Sequence, residues 1–422
     1  MALAMVPGTA HAEWSALRPM DARGWSASDD VDVAVARNGD ALMAWTGMYG
    51  RELKVRVRRV SASGRLGRVR TVSGPDSGTF GQVSVALDDD GDALIAWAVY
   101  EDASSSWQVW TRRLSRGGTV GPFRRLSTPG VSSWRPRAAL TPRGQGAVIF
   151  DESVSADGWR QVLRRVSRSS GLGRARYLPA AGQFGPDLQA TRDGDFVYAG
   201  VTREGVLKAF RLLPNDRLVS RGLSGGTPMR DTGTGVGVDR RGTAYFTYLA
   251  KNDDRAVLWT RSWTRAGRVS PARRITPRGH TVIVATSGTD LQGDTIVSWS
   301  EGTASEYLTL HSRIWRRDGS LGAVQKLGPI QGWADFHGLY APAADLALDD
   351  DGDGVVAWPS EPGVYHEVAW ARRVRPDGTL GRRVRLRDHA APYAVGITPR
   401  GRARVGITES GKSNRLFLTT GP

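Results

Sequence analysis

Cysteine is absent from this sequence of 422 residues, and histidine occurs only six times. Without cysteine the chain cannot form disulfides or thiolate-ligated metal centres. No histidine pair stands at the close spacing of a zinc-binding motif, so we expect no resident metal or cofactor. The sequence also has no nucleophile elbow and no phosphate-binding glycine loop, so it gives no support for an α/β-hydrolase or a nucleotide-binding enzyme. No long apolar run is present, so no membrane-spanning segment is expected.

One pattern recurs along the whole chain: an apolar strand, a turn centred on glycine, and a second strand that ends in an aromatic residue. In the clearest copy, residues 83–97, the turn is centred on Gly91 and the second strand ends at Trp97. A glycine in such a turn supplies the positive φ that a tight hairpin needs. A further glycine turn follows most copies, so each unit contains four short strands. The eight turn glycines are Gly39, Gly91, Gly144, Gly194, Gly242, Gly293, Gly352 and Gly401.

The repeat of roughly 50 residues with four strands per unit resembles β-propeller repeat proteins. The resemblance implies an all-β fold: a single propeller of eight four-stranded blades over residues 13–422. Seven blades are the alternative, if the weak copy at Gly194 or Gly401 is not a blade. The last copy has no room for a fourth strand, and residues 14–19 match the missing element, so we predict that an N-terminal strand closes the ring. The sialidase, WD40 and kelch motifs are missing, so no single family is indicated.

Residues 1–12 resemble the tail of a secretory signal peptide, with small residues at Ala10 and Ala12 before a predicted cleavage site. We therefore expect a secreted or periplasmic protein. The formal net charge is +16, which should attract polyanionic surfaces. The basic residues are spread through every repeat and form no block, so no dedicated nucleic-acid site is expected.

Two turns are rich in aspartate, at residues 88–92 and at Asp349–Asp353, and they resemble the calcium loops of integrin-type repeats. The other copies lack these acids, so we interpret both as hairpin turns that favour aspartate, and leave calcium binding at Asp349–Asp353 open.

An arginine recurs six residues before the second turn glycine. It could belong to a sialidase-like arginine cluster, but its repetition favours a structural role, stacking on an aromatic ring or pairing with an acid of the next blade. The recurring residues are Arg58, Arg112, Arg261, Arg313 and Arg372.

The copies differ most in the loops that leave the second strand and in those between blades. These loops lie on one face of a propeller, the loop face, opposite the tight glycine turns, and binding residues concentrate in such loops. The longest excursion, 328–340, brings four candidates close together in sequence, and three further loops add five. The predicted ligand-binding residues are Trp333, Asp335, His337, Tyr340, Glu361, Tyr365, His366, Trp107 and Trp159.

Two functional hypotheses follow. The first is a non-enzymatic binding propeller that recognises a glycan, a cell-envelope polymer or a protein partner through the loop face, with no catalytic residue assigned. The alternative is a sialidase-like glycoside hydrolase or lyase that acts on an anionic sugar. The enzyme hypothesis is favoured if two carboxylates, a tyrosine and three arginines converge at the mouth of the central channel. The binding hypothesis is favoured if these groups are dispersed.

Overall fold

A computed structural model shows an all-β protein in which eight four-stranded antiparallel sheets form the blades of a β-propeller. The structure describes residues 14–21, 26–49, 52–74, 79–155, 158–178, 187–202, 204–223, 227–229, 235–252, 255–302, 308–330, 344–360, 367–409 and 415–421. Within these ranges the one helical segment is the 3₁₀ turn Asp102–Ser104.

Each blade runs from an inner first strand to an outer fourth strand, with neighbouring strands paired in sequence order. Blade 1 comprises Ser26–Val35, Ala41–Tyr49, Glu52–Val60 and Leu66–Thr71. Blade 2 comprises Thr79–Leu87, Ala93–Glu101, Ser106–Leu114 and Arg124–Arg125. Blade 3 comprises Ser133–Leu140, Gly146–Ser155, Gly158–Val166 and Arg176–Leu178. Blade 4 comprises Leu188–Ala190, Phe196–Val201, Leu207–Leu212 and Leu218–Gly222.

The second half of the ring repeats this arrangement. Blade 5 comprises Gly235–Val238, Ala244–Asn252, Arg255–Trp263 and Arg273–Arg274, with Thr227–Pro228 as an extra short strand. Blade 6 comprises Val282–Thr289, Thr295–Glu301, Leu308–Trp315 and Gln325–Ile330. Blade 7 comprises Asp345–Leu348, Gly354–Ser360, Val368–Val374 and Val384–Asp388. Blade 8 comprises Ala390–Ile397, Ala403–Glu409, Arg415–Gly421 and the N-terminal strand Arg18–Pro19.

The eight-blade prediction is therefore confirmed, and both weak copies form blades. The predicted closure by the N-terminal strand is confirmed as well. Arg18–Pro19 pairs with Phe417 and Leu418, and the pairing is extended by hydrogen bonds from the Ser15 amide to the Thr420 carbonyl at 2.8 Å and from the Met20 amide to the Leu416 carbonyl at 2.9 Å. Closure hides the outer edge that the third strand of blade 8 would otherwise expose.

The core lies between blades. Eight hydrophobic clusters fill the eight interfaces between successive blades, and the second strand of each blade is apolar on both faces because it packs against a neighbour on each side. Four tryptophans that stand six residues after a turn glycine are fully buried: Trp45, Trp97, Trp299 and Trp358. The turns themselves follow the sequence prediction. Gly91, for example, has a φ of 85° and donates its amide to the Asp88 carbonyl at 3.1 Å.

Candidate functional site

Four aromatic side chains meet on the loop face where blades 2 and 3 adjoin, and we call them the tryptophan patch: Tyr100, Trp107, Trp134 and Trp159. Trp107 and Trp134 are stacked with ring centroids 5.2 Å apart and an interplanar angle of 21°. Tyr100 lies edge-on to Trp107 at 5.8 Å, and Trp159 is tilted against Trp134 at 5.7 Å. All four are partly exposed. The patch thus presents a continuous aromatic surface rather than a single ring.

The blades hold this patch through hydrogen bonds that cross from one to the other. The Trp107 amide donates to the Ser132 hydroxyl at 3.2 Å, and the Gln108 side-chain amide donates to the Val131 carbonyl at 3.1 Å. Trp107 also packs on Gly81, where an added Cβ would stand 3.0 Å from the indole ring. Glycine at position 81 therefore leaves room for Trp107 to lie flat. These contacts fix the position of Trp107 at the end of its strand.

A β-bulge connects the patch to the centre of the ring. The pairing register of the first strand of blade 3 shifts between Trp134 and Arg137, and Arg135 within the bulge has a φ of 52°, which is costly for a residue with a Cβ. The Arg135 amide donates to the side-chain oxygen of Gln82 at 3.0 Å, so blade 2 helps to hold the bulge. The bulge lets one strand present Trp134 at the loop face and Arg137 inside the central channel.

The central channel has a volume of about 480 Å³ and is lined by the first strands of all eight blades. One repeat position, seven residues before the turn glycine, forms a ring in or beside this channel. Its occupants are Asp32, Ser84, Arg137, Asp187, Gly235, Thr286, Asp345 and Ala394. The channel thus carries three carboxylates and one guanidinium inside a protein that is strongly basic overall.

Each of the three channel aspartates bridges its own blade to the next one. Asp32 accepts the amides of Val33 at 2.8 Å and of Val85 at 2.7 Å. Asp187 accepts the Val236 amide at 2.9 Å, and Asp345 accepts the Val395 amide at 2.5 Å. These bonds satisfy amides of inner strands that have no further strand to pair with.

Desolvation acts on all three channel carboxyls. Burial raises the pKa of Asp32 and of Asp187, and it raises the pKa of Asp345 to about 7. Arg137 partly offsets the rise in the pKa of each. Asp345 therefore titrates near neutral pH, and Arg137 is the one cationic side chain among the described residues that line the channel.

A fourth unusual carboxyl, Asp151, lies in the second strand of blade 3 directly opposite Trp134. It is 2% exposed, and neither of its carboxylate oxygens has a hydrogen-bond partner of good geometry among the described residues. Burial raises its pKa to about 7, and Arg135, Gln161 and Arg137 offset part of the rise. Asp151 is therefore neutral over much of the acidic range, which is the cheaper state for a buried carboxyl.

The recurring arginines have the structural role that their repetition predicts, but their partners are different from those expected. Arg112 donates to the Gly121 carbonyl of its own blade at 2.6 Å and to the Val72 carbonyl of blade 1 at 3.1 Å. Arg313 makes the same pair of bonds to Gly322 and Ile275. The prediction of an aromatic or acidic partner in the next blade was wrong, because backbone carbonyls left free at the short outer strands are the nearer acceptors.

The aspartate-rich turns are hairpin turns, as predicted. Asp349 accepts the amides of Asp351 at 3.0 Å and Asp353 at 2.9 Å, and Asp88 accepts the amide of Asp92 at 2.8 Å. These bonds occupy one oxygen of each leading carboxylate. In the described part of the chain no three histidine or acidic side chains are grouped as metal ligands.

Blade 6 carries a separate polar cluster around Glu301. His280 lies 2.7 Å from this carboxylate and His311 lies 3.5 Å from it, while the Trp299 indole donates to it at 3.3 Å. Burial lowers the pKa of His311. Glu152 stands at the corresponding position of blade 3, eight residues after the turn glycine, and contacts Arg160 instead of a histidine.

The structure brings together two of the nine predicted binding residues, Trp107 and Trp159, through Trp134 between them. The other seven predictions lie outside the described residues: Trp333, Asp335, His337 and Tyr340 in 331–343, and Glu361, Tyr365 and His366 in 361–366. Tyr100 and the channel aspartates were missed. The position seven residues before each turn glycine could have revealed the aspartates, since three of its eight occupants are acidic.

No family model and no curated protein matches this chain. Among solved structures it is similar to a polysaccharide lyase, a PL25 ulvan lyase bound to a saccharide, with 9% identity, a TM-score of 0.49, and coverage of 91% of this chain and 90% of that one. It is also similar to the β-propeller domain of the trilobed protease from Pyrococcus furiosus, with 9% identity, a TM-score of 0.49, and coverage of 87% and 99%. At such identities a likeness concerns the fold and not the ligand.

Proposed function

We propose that this chain is a secreted carbohydrate-binding propeller that holds a glycan on the tryptophan patch. The observation that carries the proposal is the run of contacts from Tyr100 through Trp107 and Trp134 to Trp159 on the loop face. Partly exposed aromatic rings with polar groups beside them suit the apolar face of a sugar ring.

Arg135 of blade 3 directly follows Trp134, and the β-bulge there fixes the backbone beside the patch. The hydrogen bonds that join blades 2 and 3 hold the rings before a ligand arrives, which reduces the ordering cost of binding. Covering one such aromatic ring with a ligand contributes on the order of 1–3 kcal/mol.

The test is binding of a glycan array to the purified protein, followed by calorimetry on the best ligand. Trp134→Ala removes the central ring of the patch and should weaken binding about tenfold or more, which corresponds to about 1.4 kcal/mol. Trp370→Ala is the matched control, because Trp370 is a partly exposed tryptophan in blade 7 that stacks under Arg383 and lies outside the patch. Circular dichroism and thermal melts must show that both variants are folded.

Equal affinity of Trp134→Ala and the parent protein for that glycan would refute the patch as the binding site. An array without any hit, together with capture of a protein partner that is lost in Trp134→Ala, would instead assign the patch to protein recognition.

The enzyme hypothesis has one observation in its favour: the channel contains three aspartates and Tyr393. Among the described residues that line the channel, however, there is one arginine, Arg137, where a sialidase-like carboxylate clamp uses three. Product release from acidic polysaccharides, abolished by Asp345→Asn, would support the enzyme.

Secretion is a separate proposal and rests on the Ala12 cleavage motif. N-terminal sequencing of exported protein should find Glu13 first. Among the described residues, no helix has the length and apolar character needed to cross a membrane.

A further inference from the structure

Two adjoining grooves flank the outer part of blade 1, one where blade 8 meets blade 1 and one where blade 1 meets blade 2, and we call them together the closure groove. The first has a volume of about 670 Å³ and is lined by Arg18, Pro19, Asp21, Arg58, Arg65, Leu66 and Val69. The second, of about 540 Å³, shares Arg58, Arg65 and Leu66 with the first and adds Arg59, Arg68 and Arg116, with Asp40. The closure groove is therefore lined by six arginines and two aspartates.

Both aspartates of the groove are already engaged. Asp21 accepts the Trp45 indole N–H at 2.7 Å and contacts Arg56 at 3.3 Å, and its side chain is 6% exposed. Asp40 accepts the Ala62 amide at 2.9 Å. Its other oxygen lies 3.6 Å from Arg116. Among the described residues no acid forms an ion pair with Arg18, Arg65 or Arg68.

Burial is the largest cause acting on two arginines of the groove. It lowers the pKa of Arg58, with Arg18 adding to the decrease and Asp21 opposing it, and it lowers the pKa of Arg59, where Asp40 and Asp92 oppose the decrease. Two guanidinium nitrogens of Arg59 and one of Arg18 are buried without a hydrogen-bond partner in the described part of the chain. Burial of these guanidinium groups is costly, and an anion in the groove would add a compensating negative charge close to them.

Ring closure creates the first groove. Arg18 belongs to the N-terminal strand of blade 8, whereas Arg58 and Arg65 belong to blade 1. Arg58 is the repeated structural arginine and donates to the Pro19 and Met20 carbonyls at 3.1 Å. Arg65 is exposed and directly follows Gly64, where the corresponding positions of blades 2, 6 and 7 carry threonine or serine. Blades 4 and 5 also carry an arginine at the position of Arg65, and blades 3 and 7 carry one at the position of Arg68, so blade 1 differs in having both.

We propose that the closure groove is a second ligand site that binds the sulfate or carboxylate groups of an acidic polysaccharide. Guanidinium groups match such oxyanions in charge and in geometry. The floor between them is aliphatic, formed by Pro19, Leu66 and Val69, and the described residues that line the two grooves include no aromatic side chain for base stacking. This composition fits a sugar chain better than a nucleic acid, which relies on stacking in single strands.

The experiment uses the complete chain and a dextran sulfate oligosaccharide, with unsulfated dextran as the reference ligand. Arg65→Gln/Arg68→Gln changes two exposed residues for which no structural hydrogen bond of the side chain is seen, so the fold should be retained. Calorimetry should show at least a tenfold loss of affinity, and the dependence of affinity on salt should become weaker. Dextran sulfate should also raise the Tm of the parent protein, because the ligand joins the closing strand to blade 1.

The matched control is Arg268→Gln/Arg174→Gln. Arg268 stands at the position of Arg65 in blade 5, Arg174 stands at the position of Arg68 in blade 3, and both are exposed. This variant has the same net charge as Arg65→Gln/Arg68→Gln but leaves the closure groove intact, so it should retain binding. Equal losses in the two double variants would show generic attraction by the basic surface and would overturn the site. Equal affinity for a DNA oligonucleotide of the same charge would overturn the assignment to an acidic polysaccharide. Trp134→Ala should leave dextran sulfate binding unchanged, so the two proposed sites can fail independently.

Discussion

The buried carboxyl of Asp151 should make the stability of the protein depend on pH in a way that one substitution removes. Asp151 is 2% exposed and lacks a good hydrogen-bond partner among the described residues. Asp151→Asn keeps the size of the side chain and abolishes its titration. We expect the variant to gain stability relative to the parent protein as the pH rises from 5 to 8.

The sign follows from the pKa, which rises from 3.8 to about 7 on folding. A raised pKa means that the folded protein holds the proton more tightly than the unfolded chain does. The resulting stabilisation is complete below about pH 4 and is lost as the pH rises through about 7. With about 1.36 kcal/mol for each pH unit, the loss between pH 5 and pH 8 is about 2–3 kcal/mol.

Urea denaturation at pH 5, 6, 7 and 8 measures this effect. The difference in unfolding free energy between Asp151→Asn and the parent should grow by about 2–3 kcal/mol over this range. The channel carboxyls titrate in both proteins and so cancel in the difference. Asp351→Asn, a change at an exposed turn aspartate, is the control and should show no such trend. A difference between Asp151→Asn and the parent that stays constant with pH would refute the buried, neutral state of Asp151.

Two further predictions concern the scaffold. Arg112→Gln removes hydrogen bonds to the Gly121 and Val72 carbonyls and should lower the unfolding free energy by about 2–4 kcal/mol. Arg268→Gln, at an exposed position, is the control and should change the unfolding free energy by less than about 0.5 kcal/mol. Similar losses in both variants would contradict the structural role of the repeated arginine. Trp14→Ala removes an indole ring that packs against Gly421, where an added Cβ would lie 2.6 Å from the ring. The loss should loosen the closing strand, so that limited proteolysis cuts the N-terminal segment before it cuts the blades. Resistance to proteolysis equal to that of the parent protein would show that Trp14 does not secure the closure.

Much of the fold could be predicted from the sequence because its determinants are local. A hairpin turn needs a glycine at positive φ, and the recurrence of Gly39, Gly91 and their counterparts therefore gave the number of blades directly. The match between residues 14–19 and the outer strands gave the closure for the same reason. The repetition of Arg112 and its counterparts indicated a structural role, although the carbonyl partners depend on how far each outer strand extends.

The candidate sites depend on contacts between blades, and these were accessible only in the tertiary structure. Trp107 and Trp134 belong to different blades, and their stacking depends on the angle at which blade 3 packs on blade 2. Arg18 and Arg65 are distant in sequence and share a groove because the ring closes there. The pKa of Asp151 is set by burial, which a sequence does not display. Local backbone preferences thus determined the repeat and the ring, whereas the packing of one blade on the next decided which side chains meet and which charges lie buried without partners.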